Sequence, residues 1–170
     1  MKKIFILLTM IIAAFVGCGQ NVETTQPPKQ TYDLQGKVTR VADGDTFTIT
    51  NNGKKYKIRM FGIDAPESNQ QHGKESTKYL SKIILHKQVG IKIVDKDKYD
   101  RIIGKVYYND RDINQEMLES GHAWFYEYHA KNENGYRNAH ENARKERKGL
   151  WNEANPENPR QYRVKARKSN

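Results

Sequence analysis

Cysteine is nearly absent: Cys18 is the only one in 170 residues. No intramolecular disulfide can form, so the fold must rest on its core and its polar contacts. Acid is the minority charge, with 20 Asp and Glu against 30 Lys and Arg, a formal net charge of +10 and a pI near 9.6. That imbalance suits a polyanionic partner, such as nucleic acid or an anionic membrane surface. Mean hydropathy is −0.95, which describes a small, water-facing globule with a modest core. The one long apolar run, Ile4 to Val16, has thirteen residues. Crossing a bilayer takes roughly 20, so this run does not span.

Lys2 and Lys3 precede that run, and together they read as an export signal over residues 1–17. Removing it takes away two bases and no acid, so the mature chain stays basic. Cys18 follows Phe15, Val16 and Gly17 at the end of the run, a pattern similar to the lipobox of bacterial lipoproteins. The pattern implies an acylated cysteine at the mature N-terminus and a membrane-anchored product. Phe15 departs from the usual Leu, and simple cleavage with secretion is the other expectation. Residues 18–33 are polar with a Pro-Pro pair and read as a tether.

From Leu34 the pattern changes. Val38 and, after a slip, Val41 alternate with polar residues, as do Phe47 and Ile49. Asn52-Gly53 is a strong hairpin signal, and Tyr56, Ile58 and Met60 continue the alternation into a third strand. Residues 73–86 switch to helical spacing, with Tyr79, Leu80, Ile83 and Ile84 forming a stripe. Val89, Ile91 and Ile93 give another strand, and residues 101–110 a fifth. Asp112 is a suitable N-cap for a helix that Gly121 closes, and a last helix runs over 132–148. The expected class is α+β, a five-stranded OB-type barrel with about three flanking helices, over residues 34–152. An SH3-like or other small barrel fits the same pattern. Residues 153–170 read as a basic flexible tail with five bases and no acid from Arg160 onward.

Chemistry concentrates in three short stretches. Asp43-Gly44-Asp45-Thr46 falls between two strands, and by itself it is ordinary turn chemistry. Asp64 and Glu67 flank Pro66, which fixes the chain direction and biases Ala65 towards an extended conformation. Two carboxylates then leave one corner in different directions. Hard divalent cations take oxygen ligands, and Asp45 and Asp64 at adjacent strand ends could supply two. Arg59 leads into the corner and Arg101 follows DKYD; a guanidinium fork grips phosphate through two parallel hydrogen bonds. The bland reading of each is a surface charge.

DGDT, RMFGIDAPE and DKYDR, in that order and spacing, resemble the signatures of the thermonuclease, or staphylococcal-nuclease-like, family. The resemblance covers about residues 35–152 and continues through NQEMLESGHAWFY and KERKGLW. It implies an OB-type barrel that hydrolyses phosphodiester bonds of DNA and RNA with Ca²⁺, cutting the 5′ P–O bond to leave 3′-phosphate ends. By position, Asp45 and Asp64 match the calcium carboxylates and Ala65 a backbone-carbonyl ligand. Glu67 matches the general base, and Arg59 and Arg101 the phosphate-clamping arginines. Residues 68–72 form a shorter loop than the secreted prototype has. Lys98, Tyr99 and Tyr126 are candidate substrate contacts, and Tyr128 or its neighbours could stack on bases. His72, His86, His122, His129 and His140 show no metal-ligand spacing and are given no chemistry.

The expectation is therefore an exported, monomeric, Ca²⁺-dependent endonuclease of low sequence specificity, with no small-molecule cofactor. The competing one is an OB-fold lipoprotein that binds single strands without cutting. A binder gains nothing from three acids beside a phosphate, whereas a hydrolase needs them.

Overall fold

The computed structural model describes residues 30–168. The export signal, Cys18 and the tether up to residue 29 lie outside the described residues.

Strands β1 (Leu34–Val41), β2 (Thr46–Asn51) and β3 (Lys54–Met60) form an antiparallel meander. Asn52 and Gly53, at φ 48° and 75°, make the tight turn between β2 and β3, where positive φ suits the twist of a two-residue hairpin. The slip read from Val38 and Val41 is a register shift between Val38 and Arg40. A two-residue strand, β4 (Ile63–Asp64), leads to helix α1 (Gly73–Ile84). Strands β5 (Gln88–Lys96) and β6 (Ile102–Tyr108) follow. β5 pairs with β1 and β6, and β6 closes the sheet by pairing parallel with β3, Arg59 opposite Ile103. The result is a closed five-stranded barrel with helices, an α+β fold of OB type.

Alternation accounts for its interior. Val38, Phe47, Ile49, Ile58, Met60, Val89, Ile91 and Val106 all point inward and are buried. Each large side chain there contributes about 1.5–3 kcal/mol by leaving water. Leu80 and Ile84 of α1 join the same core. β5 departs from the expected pattern at its far end. A register shift between Ile93 and Asp95 breaks the alternation, so Ile93 is 44% exposed rather than inward.

The edge strand β7 (Arg111–Asp112) runs into α2 (Ile113–Glu119), where the Asp112 carboxylate accepts from Gln115 N at 3.0 Å as its N-cap. Then come β8 (Trp124–Phe125), a one-turn α3 (Glu127–Ala130), α4 (Asn134–Lys145) and a 3₁₀ turn, Gly149–Asn152. β8 pairs with β4, which ties the corner at Asp64 to the helical side of the molecule.

The flexible tail expected over 153–170 is corrected by helix α5 (Pro159–Lys168). Asn158 caps it, its side chain accepting from Arg160 N at 3.0 Å, and Pro159 takes the first helical position. Among the described residues there are thus five α-helices and a 3₁₀ turn, more than the three expected.

His72 and His122 meet between α1 and the segment after α2, Nε2 to Nδ1 at 2.9 Å, with Tyr79 stacked on His122. One shared proton suits that contact; two do not. Burial first, then the charge of His72, hold His122 down at about 4, and burial lowers His72 as well. Between pH 6.5 and 4 the unfolded chain takes up protons that the fold refuses, so stability falls as pH drops through that window. We expect His122 to account for on the order of 2 kcal/mol of that fall. Urea unfolding at pH 7 and pH 4.5 checks this: His122→Gln should lose less stability on acidification than the natural chain.

Candidate active site

Three loops at one end of the barrel bring the reactive groups together. In the 42–46 turn, Asp45 N donates to Asp43 Oδ1 at 3.0 Å, and Thr46 Oγ1 to Asp45 Oδ1 at 3.0 Å. The turn can sit this deep because residue 44 is glycine. A Cβ there would lie 1.9 Å from Ser76 Oγ and 2.7 Å from Ala65 Cβ. Asp45 Oδ2 in turn accepts from Ala65 N at 2.7 Å, which joins the turn to the corner after β4.

The corner itself is fixed by backbone contacts. Gln70 N donates to Glu67 O at 2.8 Å and Gly73 N to Gln70 O at 3.0 Å. α1 begins directly beneath it, since a Cβ on Gly73 would fall 1.8 Å from Glu67 O. Glu67 thereby leaves the corner towards solvent, its side chain 36% exposed, while Asp64 is buried.

Arg59 stands on β3 between the inward Ile58 and Met60 and so faces the other way. Its Nη1 donates to the carbonyls of Met60 and Ile63 at 2.8 and 2.9 Å. Its Nη2 spans Asp45 at 3.2 Å and Asp64 at 3.1 Å. Arg101 enters from the loop between β5 and β6, with Nε on Asp97 Oδ2 at 2.7 Å. Asp97 Oδ1 also accepts the N–H groups of Tyr99 and Arg101. Burial works against ionised Asp97, but these bonds, the Arg101 side chain foremost, outweigh it and hold its carboxyl below the usual range.

The acids crowd one another. Burial is the largest influence on Asp64, and with the Asp45 charge it overcomes the pull of Arg163 and Arg59, so Asp64 lies above the ordinary carboxylate range. Asp43 is pushed up to about 6, by burial and then by Asp45. Such a site demands positive charge.

A cleft of about 600 Å³ holds Asp45, Arg59, Asp64, Ala65, Glu67 and Arg101 on its walls together. Tyr99 and Tyr126 also line it. Lys98 is not part of the lining; its ammonium lies 5.2 Å from the Tyr99 ring centre. Tyr128 stands 76% exposed beside Tyr126, and Trp124 packs edge-on against Trp151 instead of facing the cleft. His129, given no chemistry from the sequence, is on the cleft wall.

Three further groups acquire a place at the site only in the structure. Asp97 orients Arg101, Asp43 sits beside Asp45, and Arg163 of α5 reaches the acids. Arg163 Nη2 contacts Asp64 Oδ2 at 2.8 Å, and its Nη1 contacts Glu67 Oε1 at 2.8 Å and Asp64 Oδ1 at 3.2 Å. Asp97 belongs to the DKYDR stretch, where an acid four residues before an arginine was the available signal.

No three His, Cys, Asp or Glu side chains gather as a metal cluster among the described residues. What the cleft offers is two buried carboxylates, Asp45 and Asp64, around the backbone of Ala65. Donors of oxygen alone fit a hard cation that completes its shell with water, and here Arg59 and Arg163 supply the positive charge those carboxylates call for.

Losing the hold on Arg101 should be measurable. Asp97→Asn removes a charged hydrogen bond of about 1.5–3 kcal/mol and frees the guanidinium. We expect catalytic efficiency to fall about tenfold, and urea unfolding to show a stability loss of the same order, about 1–2 kcal/mol.

A family model described as "Staphylococcal nuclease homologue" matches residues 57–153. An "Uncharacterized endonuclease" of Haemophilus influenzae is 40% identical over 75% of this chain and 71% of its own length. A protein of Escherichia coli with the same description is 38% identical over 75% of this chain and 83% of its own. The "Micrococcal nuclease" of Shigella flexneri is 32% identical over 77% and 81%.

Proposed function

Because the chain belongs to the staphylococcal nuclease family, it is an enzyme that hydrolyses nucleic acid, and we propose that it is an exported, Ca²⁺-dependent endonuclease acting on DNA and RNA. The observation that carries this is the meeting of Asp45, Arg59, Asp64, Glu67 and Arg101 on one open cleft. Three acids meet there among guanidinium groups, Asp45 and Asp64 buried and Glu67 reaching solvent.

In this reading Asp45, Asp64 and the carbonyl of Ala65 hold Ca²⁺. A bound Ca²⁺ neutralises the scissile phosphate and lowers the cost of bringing an anion against carboxylates. Glu67, less buried than Asp64 and at the solvent side of the cleft, takes the proton of the attacking water. Arg59 and Arg101 face the phosphate from the barrel end and the 97–101 loop, and they stabilise the charge that builds on its oxygens. Attack with loss of the 5′ oxygen leaves 3′-phosphate and 5′-hydroxyl ends. Tyr99 and Tyr126 flank the path of the strand, where exposed rings stack on any base. Since these contacts address phosphate and ring faces, cutting is nearly independent of sequence.

Upstream of the described residues, the proposal includes cleavage of the 1–17 signal, acylation of Cys18 and display of a monomer at the cell surface. Mass spectrometry of the mature N-terminus tests the lipid: an unmodified peptide that starts elsewhere ends that part.

Digestion in Ca²⁺, Mg²⁺ and EDTA tests the core. Cleavage in Ca²⁺ that disappears with EDTA is expected, with products that polynucleotide kinase labels without phosphatase treatment. Retention of intact strands in Ca²⁺ would instead identify a non-catalytic single-strand binder.

A further inference from the structure

Among the described residues, helix α5 carries the least apolar anchorage of the longer helices. Only Pro159 is buried along it, and Val164 is 46% exposed. What holds it is polar. Gln70 Nε2 donates to Glu157 O at 2.6 Å just before the helix, and Tyr162 OH to Asn69 O at 3.3 Å. The strongest contact is the fork of Arg163, bidentate on Asp64 and also bonded to Glu67. Its side chain is 35% exposed, and Arg167, one turn further, lines the same cleft. Burial disfavours a charged Arg163, yet the bonds to Asp64 and Glu67 more than offset it and raise its pKa.

The two partners of Arg163 are not arbitrary acids. Asp64 is a candidate cation ligand and Glu67 the candidate base, so one guanidinium engages both. A cation on Asp64 and a guanidinium on the same two oxygens exclude one another by charge and by space. A helix held mainly by ion pairs, with little apolar area to lose, is the kind of element that can leave.

Resting on the cation site proposed above, we propose that α5 is an autoinhibitory strap released by the divalent cation. In the resting enzyme Arg163 holds Asp64 and Glu67; Ca²⁺ takes Asp64, Arg163 withdraws, and Glu67 becomes available to water. Linkage makes the effect reciprocal: whatever factor Arg163 takes from Ca²⁺ affinity, Ca²⁺ takes from strap docking. High salt, by screening the pair, loosens the strap as well.

Two measurements on the whole mature chain test this. Calorimetric titration with Ca²⁺ should show Arg163→Gln binding the cation about tenfold tighter than the natural protein, within the usual range of coupling between sites. Hydrogen exchange of the natural protein should show the amides of residues 159–168 losing protection as Ca²⁺ saturates, while barrel amides keep theirs. Equal Ca²⁺ affinity in both proteins, or unchanged protection of α5, overturns the strap and leaves the cation site standing. Tighter binding without loss of protection reduces Arg163 to a local charge and also overturns it. Absence of Ca²⁺ binding in both proteins sinks the cation reading itself, and the strap with it.

Discussion

Glu67→Gln is expected to lower kcat on DNA by about 10²–10⁴, the range a positioned acid–base group supplies, while KM changes little. The amide keeps the shape of the side chain and can still accept from Arg163, so docking of α5 survives. It cannot take a proton from water. Arg101→Ala should cost about 10²–10³, as loss of one preorganised group facing the developing charge does. Initial rates on a fluorescent duplex and on single strands measure both. Activity within threefold of the natural enzyme in either variant contradicts the roles assigned here.

Gly44→Ala should damage stability and activity together. The added methyl meets Ser76 Oγ at 1.9 Å and Ala65 Cβ at 2.7 Å. Ser76 cannot step aside, for it is fully buried and donates to His122 O at 2.7 Å. Overpacking of this kind costs typically about 1–3 kcal/mol. The larger effect is on chemistry, because Asp45 and Ala65 sit on the two sides of the clash, and a displacement of about 1 Å at such a site can cost on the order of 10² in rate. Adding Ser76→Ala removes the Oγ collision and leaves those with Ala65 Cβ at 2.7 Å and the Cβ of residue 76 at 2.9 Å, so rescue should be partial. Urea unfolding and nuclease assays on the single and double variants decide it.

The barrel and its reactive corner were legible because both are written locally. Alternation places Ile58 and Met60 inward and leaves Arg59 facing out; Asn52-Gly53 names its own turn; Asp112 names its own cap. Even the register shift in β1 shows in the spacing of Val38 and Val41. The end of β5 was not legible, since a shift at Ile93 obeys no rule of composition. Helix α5 was missed for a different reason. Its sequence lacks an apolar stripe, and helices are ordinarily recognised by the face they bury. Arg160, Arg163 and Arg167 do recur at helical spacing, after Asn158 and Pro159, which together form a start signal. What this helix faces is a set of carboxylates contributed by residues nearly a hundred positions earlier, and no window along the chain contains both.

The parallel seam between β3 and β6 has a consequence for heat. Arg59 lies within the seam and Arg101 immediately before it, Ile58 pairing with Ile102 and Arg59 with Ile103. The strand that bears Arg59 is therefore stitched directly to the start of β6, and Arg101, at the end of the 97–101 loop, is held between that seam and Asp97. Warming should leave their separation intact until the barrel itself melts, so the calorimetric midpoint and the midpoint of activity loss should coincide. On cooling, activity should return in step with the seam.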